Sequence, residues 1–310
     1  MQKIHITNNH LRTIVNEVKN YLKKGQEMPE GLLFELMAEL KVSNLLIPGF
    51  FDGDELITEH LTNNVDSTTV IPLYTDYEEY IKDYDLNSEY TPIPNDITYY
   101  IDLINKNNHN GIIVNFASES FFIPSDLLNN IPLTSIFSIN DNFRGYGPNQ
   151  LKSIAENTTN DSLVNFIKNP SNENNFDGLM MELIKSTLLN VIFDKNNLGN
   201  YSKNGIISIE DIGRFQVCII GNDKEKFGIL FTSKNAIINT MDKNSEFYYF
   251  YQITVLSEFF DYILRRDMDG VIINPGLDDY FIPRRVMLTF SNVTDNPNFK
   301  YGPNYAFLLK

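Results

Sequence analysis

Tryptophan is absent, cysteine occurs once, and histidine four times in 310 residues. A lone cysteine, Cys218, excludes an internal disulfide and a thiolate metal cluster, and the sparing use of thiols fits a reducing cytoplasm. Long apolar runs are also missing. The stretches 111–114 (GIIV) and 270–273 (GVII) fall far short of the roughly 20 residues a membrane-spanning helix needs, so no membrane partner is expected. The opening residues MQKIHITNNHLRT contain no apolar h-region and no small-residue cleavage site, so the mature chain is expected to begin near Met1. Basic residues are the scarcer sign. There are 25 Lys and Arg against 40 Asp and Glu, a net charge of −15. That balance disfavours nucleic acid, whose backbone is held mainly through Lys and Arg.

What is present is an internal repeat. Gly31-Leu-Leu-Phe-Glu-Leu-Met37 aligns with Gly178-Leu-Met-Met-Glu-Leu-Ile184 at an offset of 147, with apolar positions at the spacing of an amphipathic helix. Ser43-Asn-Leu-Leu46 aligns with Ser186-Thr-Leu-Leu189 at 143, and residues 70–75 with 227–232 at 157. Residues 110–115 align with 269–274, and 121–124 with 280–283, both at 159. The second copy has therefore lost about one helical turn and gained a 14-residue insertion within 194–214, a loop-like stretch that tolerates such additions. Each copy closes on Tyr-Gly-Pro-Asn, at 146–149 and 301–304.

The chain reads as a helix within 1–26, a first repeat over 27–152, a linker over 153–175 with room for one small helix, and a second repeat over 176–310. Thr75 or Asp76, and Asn95 or Asp96, are candidate helix N-caps. Asn110-Gly111 and Asp269-Gly270 offer the positive φ with which a helix ends before a strand. A hairpin is expected across 217–231. The fold class that follows is α/β or α+β: two tandem homologous domains, each a mixed β-sheet with flanking helices.

A search for chemistry returns little. His5, His10, His60 and His109 lack zinc-ligand spacing, and no Walker loop, G-x-G-x-x-G, G-x-S-x-G or His-based triad is present, so no cofactor, no metal and no catalytic residue is expected. Asp278 and Asp279 lie in a loop after a strand, where two acids can bind a cation or do acid–base work, although charged loops are ordinarily solvated. Asn115 and Asn274 end equivalent strands, where they can either bind a ligand at a sheet edge or fasten their own backbone. Tyr146, Asn149, Tyr301 and Asn304 recur at the copy ends as candidate contact residues, against the alternative that they only shape a turn.

The order of a strand ending Leu73-Tyr-Thr-Asp76 with a helix after it, then 111–115 (GIIVN) or 270–276 (GVIINPG), then an apolar strand and Ile-Pro, resembles the SseB family, named for enhanced serine sensitivity. Asn274-Pro-Gly276 is the closest piece; the first copy departs from it with Asn115-Phe-Ala117. The resemblance covers most of each copy and implies a small α/β domain with no agreed activity. The expectation is a cytoplasmic, non-enzymatic binding or adaptor protein recognising an unknown protein or small ligand. The alternatives are an enzyme of unfamiliar type using loop carboxylates, or a structural subunit of a larger assembly.

Overall fold

A computed structural model describes residues 6–85, 87–118, 120–131, 143, 145–172, 175–194, 204–209, 216–222, 225–241, 248–290 and 305–309. The chain is α+β and divides into two compact units, Met1–Thr134 with Arg265–Asp267, and Ser135–Leu264 with Met268–Lys310. Among the described residues no helix is long and apolar enough to cross a membrane.

In the first unit, α1 (Asn9–Lys23) buries Leu11, Val15 and Val18, an i, i+4, i+7 stripe, and packs on α2 (Glu30–Val42). Then come β1 (Leu45–Asp52), β2 (Glu55–Thr58), β3 (Leu61–Thr62), β4 (Thr69–Leu73), α3 (Tyr77–Tyr80), β5 (Thr91–Asn95), α4 (Ile97–Asn107), β6 (Gly111–Val114), β7 (Phe121–Pro124) and α5 (Ser125–Asn129). Asp76 and Asp96 are the N-caps of α3 and α4, accepting from the backbone amides of Glu79 and of Thr98 and Tyr99. Two sheets form, ordered β2-β1-β5 and β3-β4-β6-β7, and only β4 and β6 run parallel. Backbone bonds between Leu46 and Tyr74 tie one sheet to the other.

The second unit contains α6 (Pro148–Asn157), α7 (Asp161–Ile167), a 3-10 turn (Pro170–Asn172), α8 (Phe176–Lys185), β8 (Leu189–Asp194), β9 (Ile206–Ser208), β10 (Gln216–Val217), β11 (Ile219–Gly221), β12 (Lys226–Leu230), α9 (Lys234–Thr240), β13 (Tyr248–Ile253), α10 (Leu256–Arg265), β14 (Gly270–Ile273), β15 (Tyr280–Pro283), α11 (Arg284–Phe290) and β16 (Tyr305–Leu308). Its sheets are ordered β10-β8-β13-β16-β9 and β11-β12-β14-β15. The hairpin expected across 217–231 is β11 and β12, with Ile220 opposite Phe227.

The strand registers of the two units coincide under the offsets read from the sequence. Val70 faces Gly111 as Phe227 faces Gly270, and Gly111 faces Pro124 as Gly270 faces Pro283. Pro94 faces Leu46 as Ile253 faces Leu189, and the Leu46–Tyr74 bridge recurs as Leu189–Phe231. Because a one-residue slip would turn every side chain to the other face, the four pairings place matching sequence positions on matching faces of the two units.

The structure refines three expectations. The left-handed residues that end α4 and α10 are Asn108 (φ 54°) and Asp267 (φ 54°), ahead of the Asn-Gly and Asp-Gly pairs. Gly111 does take a positive φ (156°) where β6 begins, and both glycines also serve close approach: a Cβ on Gly111 would lie 2.2 Å from the Ile123 carbonyl oxygen, and one on Gly270 2.5 Å from that of Ile282. The small helix allowed for within 153–175 is α7, which stands to α8 as α1 does to α2. The copy ends also diverge, since 146–149 leads into α6, whereas strand β16 follows 301–304. Leu151 and Ala155 of α6 are buried among Leu189, Val191, Tyr251 and Phe307, so α6 belongs to the second unit rather than closing the first.

Candidate functional site

The asparagines that end β6 and β14 are buried and left-handed, Asn115 at φ 50° and Asn274 at φ 51°. The Asn115 Oδ1 accepts from the backbone N–H of Thr75 at 3.0 Å, and its Nδ2 donates to the Thr75 Oγ1 at 3.0 Å. Asn274 repeats both bonds with Thr232, each at 2.9 Å. The carbonyl of each of these threonines is held by a second asparagine. Asn8 Nδ2 donates to the oxygens of Thr75 (2.6 Å) and Asn44 (2.9 Å), and Asn160 Nδ2 to those of Thr232 and Thr187, both at 2.7 Å. Two asparagine side chains thus clasp one threonine where a central strand ends, satisfying backbone groups that no ladder reaches. The N-terminal half of this clasp was missed in the sequence. Its trace is Asn8-x-x-Leu11 against Asn160-x-x-Leu163, at an offset of 152 that no other match shares; both leucines are fully buried.

Of the other candidate residues, Tyr146 is 43 % exposed with its ring 6.3 Å from that of Phe143, and Asn149 is exposed in the first turn of α6. Tyr301 and Asn304 lie outside the described residues. The Asp278 and Asp279 carboxylates are engaged in their own loop: Asp278 accepts from Asn274 Nδ2 at 2.7 Å and pairs with Lys168 at 3.3 Å, and Asp279 accepts from the Gly276 amide at 2.7 Å. The structure also places His60 against His109, rings stacked at 5.6 Å, with burial first and the His60 charge second lowering the His109 pKa. Among the described residues no group of three or more metal-ligating side chains occurs. Burial pushes the Cys218 thiol up to about 12, so it is neither a nucleophile nor a thiolate ligand at neutral pH.

The first unit holds a cluster that the second lacks. Tyr74, Tyr77, Tyr80 and Tyr84 follow β4 at nearly helical spacing; Tyr80 and Tyr84 stack at 4.9 Å, and Tyr74 meets both edge-on at 5.5 and 5.9 Å. Tyr90 extends the row, 6.1 Å from Tyr84 and 5.8 Å from Phe50. Carboxylates cap the phenols: Tyr74 donates to Asp83 at 2.6 Å and Tyr84 donates to Glu59. Burial, then the Asp83 charge, raise the Glu59 pKa against an opposing pull from His60.

Beside this row lies a charged knot. Glu79, 3 % exposed, accepts from Arg12 (3.0 Å), Lys82 (2.6 Å) and Ser118, and Arg12 also reaches Asp76 at 3.4 Å. Burial pushes the Glu79 carboxyl up, but the bonds from Lys82 and Ser118 and the charges of Arg12 and Lys82 outweigh it and leave it below its ordinary value. At the matching positions the second unit has Phe231, Lys234, Ile237 and Met241 for the four tyrosines, Ala236 for Glu79, and Val164 for Arg12. Phe231, Ala236, Ile237 and Met241 belong there to the apolar core.

No family model matches the chain, and comparison with curated proteins and with solved structures likewise gave no match.

Proposed function

We propose that the chain is a non-enzymatic binding protein of the SseB type, in which the first unit carries the contact surface. One observation supports this reading above the others. The polar residues common to both units are consumed in clasping their own backbone, whereas the polar residues special to the first unit gather on one face as tyrosines and carboxylates. Tyrosine joins a large apolar ring to a hydrogen-bonding tip, which is why it is enriched where proteins meet partners. The engagement of Asp278 and Asp279 within their loop weighs against acid–base catalysis there.

The test is recovery of partners from a native extract by the full chain, by a variant carrying Tyr84→Leu with Tyr90→Leu, and by one carrying Tyr146→Leu. A partner lost only from the first variant supports the reading. An identical recovery profile across all three sinks it.

A further inference from the structure

We infer that the tyrosine–carboxylate face of the first unit docks a lysine- or arginine-rich segment of a partner protein; this rests on the binding reading above and names the chemistry of the partner. Residues 51–90 contain eleven Asp and Glu against one Lys, while the matching stretch of the second copy, 194–249, contains seven acidic and seven basic residues. The acidity of this chain is therefore not spread evenly as a solubility device. It is concentrated on one half of a duplicated pattern.

Among the described residues no lysine or arginine pairs with Glu59 or Asp83. Lys82 and Arg12 are drawn to Glu79 and Asp76. Glu59 and Asp83 instead take hydrogen bonds from phenols, and Asp83 a further one from the Ala117 amide at 3.2 Å, all neutral donors that leave each carboxylate its full charge. Asp83 and Glu89 are exposed, and Glu59, Tyr84 and Tyr90 are half-buried, so the charge is presented to solvent beside aromatic rings.

An incoming ammonium or guanidinium group gains twice on such a face, from the carboxylates and from the rings. The half-buried row Phe50, Tyr90, Tyr84 advances in steps of 5.8 and 6.1 Å above the buried Tyr80, which is the scale of a few residues of extended peptide at about 3.3 Å each. A run of side chains along a peptide matches that row better than one compact ion does. Nucleic acid is repelled by the same field.

The test is fluorescence anisotropy on the full chain with labelled octa-arginine as probe and labelled octa-glutamate as control. The wild-type chain is expected to bind octa-arginine with an affinity that falls as salt rises, and not to bind octa-glutamate. Glu59→Gln with Glu89→Gln, and separately Tyr90→Leu at unchanged charge, should each weaken binding about tenfold, while Asp126→Asn with Asp177→Asn should change it less than about twofold. Circular dichroism confirms that each variant is folded. Equal losses from both charge-neutralised pairs mean attraction to net charge alone and overturn the inference, as does an unchanged affinity in Tyr90→Leu. If a partner depends on Tyr84 and Tyr90 but is held equally well by the Glu59→Gln, Glu89→Gln chain, the binding reading stands and the basic segment falls.

Discussion

The two units solve the same backbone problem identically and the same surface problem in opposite ways. Where β4 and β12 end, Asn8 with Asn115 and Asn160 with Asn274 clasp Thr75 and Thr232 with nearly equal distances. One helix further on, the first unit builds Tyr80 and Glu79 into a polar knot, and the second places Ile237 and Ala236 in its core. A fold can hold a hydrogen-bonded framework fixed while the residues hung upon it change class, because the clasp satisfies the backbone whatever the neighbouring side chains do. The reverse contrast appears in the neighbouring sheet. Ile47 faces Ile93 in the first unit, whereas at the same register the second unit buries Asn190 against Gln252, and neither carboxamide has a hydrogen-bond partner.

The clasp offers the largest effect. Asn115→Ala and Asn274→Ala each remove buried bonds to a threonine peptide and force alanine into a left-handed conformation, so each should cost about 3 kcal/mol in denaturant unfolding. Two losses within about 1 kcal/mol of each other would uphold the equivalence of the clasps. A cost confined to one unit would break it. The next effect is a gain. Asn190→Ile with Gln252→Ile copies the first unit into the second and removes two buried orphan amides, and should stabilise the chain by about 2 kcal/mol. Loss of stability would mean that these amides serve a contact with no counterpart in the first unit.

Much of the framework was legible because register and offset are one-dimensional facts. The offsets 143, 157 and 159 became strand registers, and Asp76 and Asp96 became caps, since both depend on residues within a few positions of each other. The clasp was half legible: Asn115 and Asn274 end matching strands, but Asn8 and Asn160 sit in four-residue matches too short to separate from chance. The copy ends misled for a related reason. The tetrapeptide at 146–149 recurs at 301–304, yet 151–156 (LKSIAE) has helical spacing and 305–309 (YAFLL) is apolar and strand-like, and the residues that follow decide the element. The tyrosine–carboxylate face escaped notice because it does not repeat, although its skewed charge and its spacing of tyrosines were both in plain sequence.

Acid should separate the units at the charged knot. The Glu79 carboxyl lies below its ordinary value of 4.5, so the folded state binds its proton less readily than the unfolded chain does. The stabilisation is complete above that ordinary value and is lost as pH falls through the lower folded one. Hydrogen exchange followed from pH 6 downward should show the amides of α3 losing protection in this acid range before those of α9, whose matching residue is Ala236. Glu79→Gln should flatten that pH dependence while lowering protection at neutral pH, because Lys82 then loses its paired carboxylate and Arg12 keeps only Asp76. Equal acid sensitivity in α3 and α9 would detach the effect from Glu79.

The smallest expected effect probes how interchangeable the units are. Asn110 Oδ1 accepts from the Thr69 amide at 2.9 Å, and Asp269 Oδ2 accepts from the matching Lys226 amide at 2.7 Å. Only an oxygen at this distance is needed, and both residue types supply one, so the amide nitrogen of Asn110 is dispensable to the bond. Asn110→Asp should therefore change stability by less than about 0.5 kcal/mol, whereas Asn110→Leu, which leaves the Thr69 amide to solvent, should cost about 1 kcal/mol. The added negative charge lies in the more acidic half of the sequence, which works against the stronger charge-assisted bond and keeps the net change small. A loss from Asn110→Asp as large as that from Asn110→Leu would show that the charge, and not the oxygen, decides which residue each unit holds at this position.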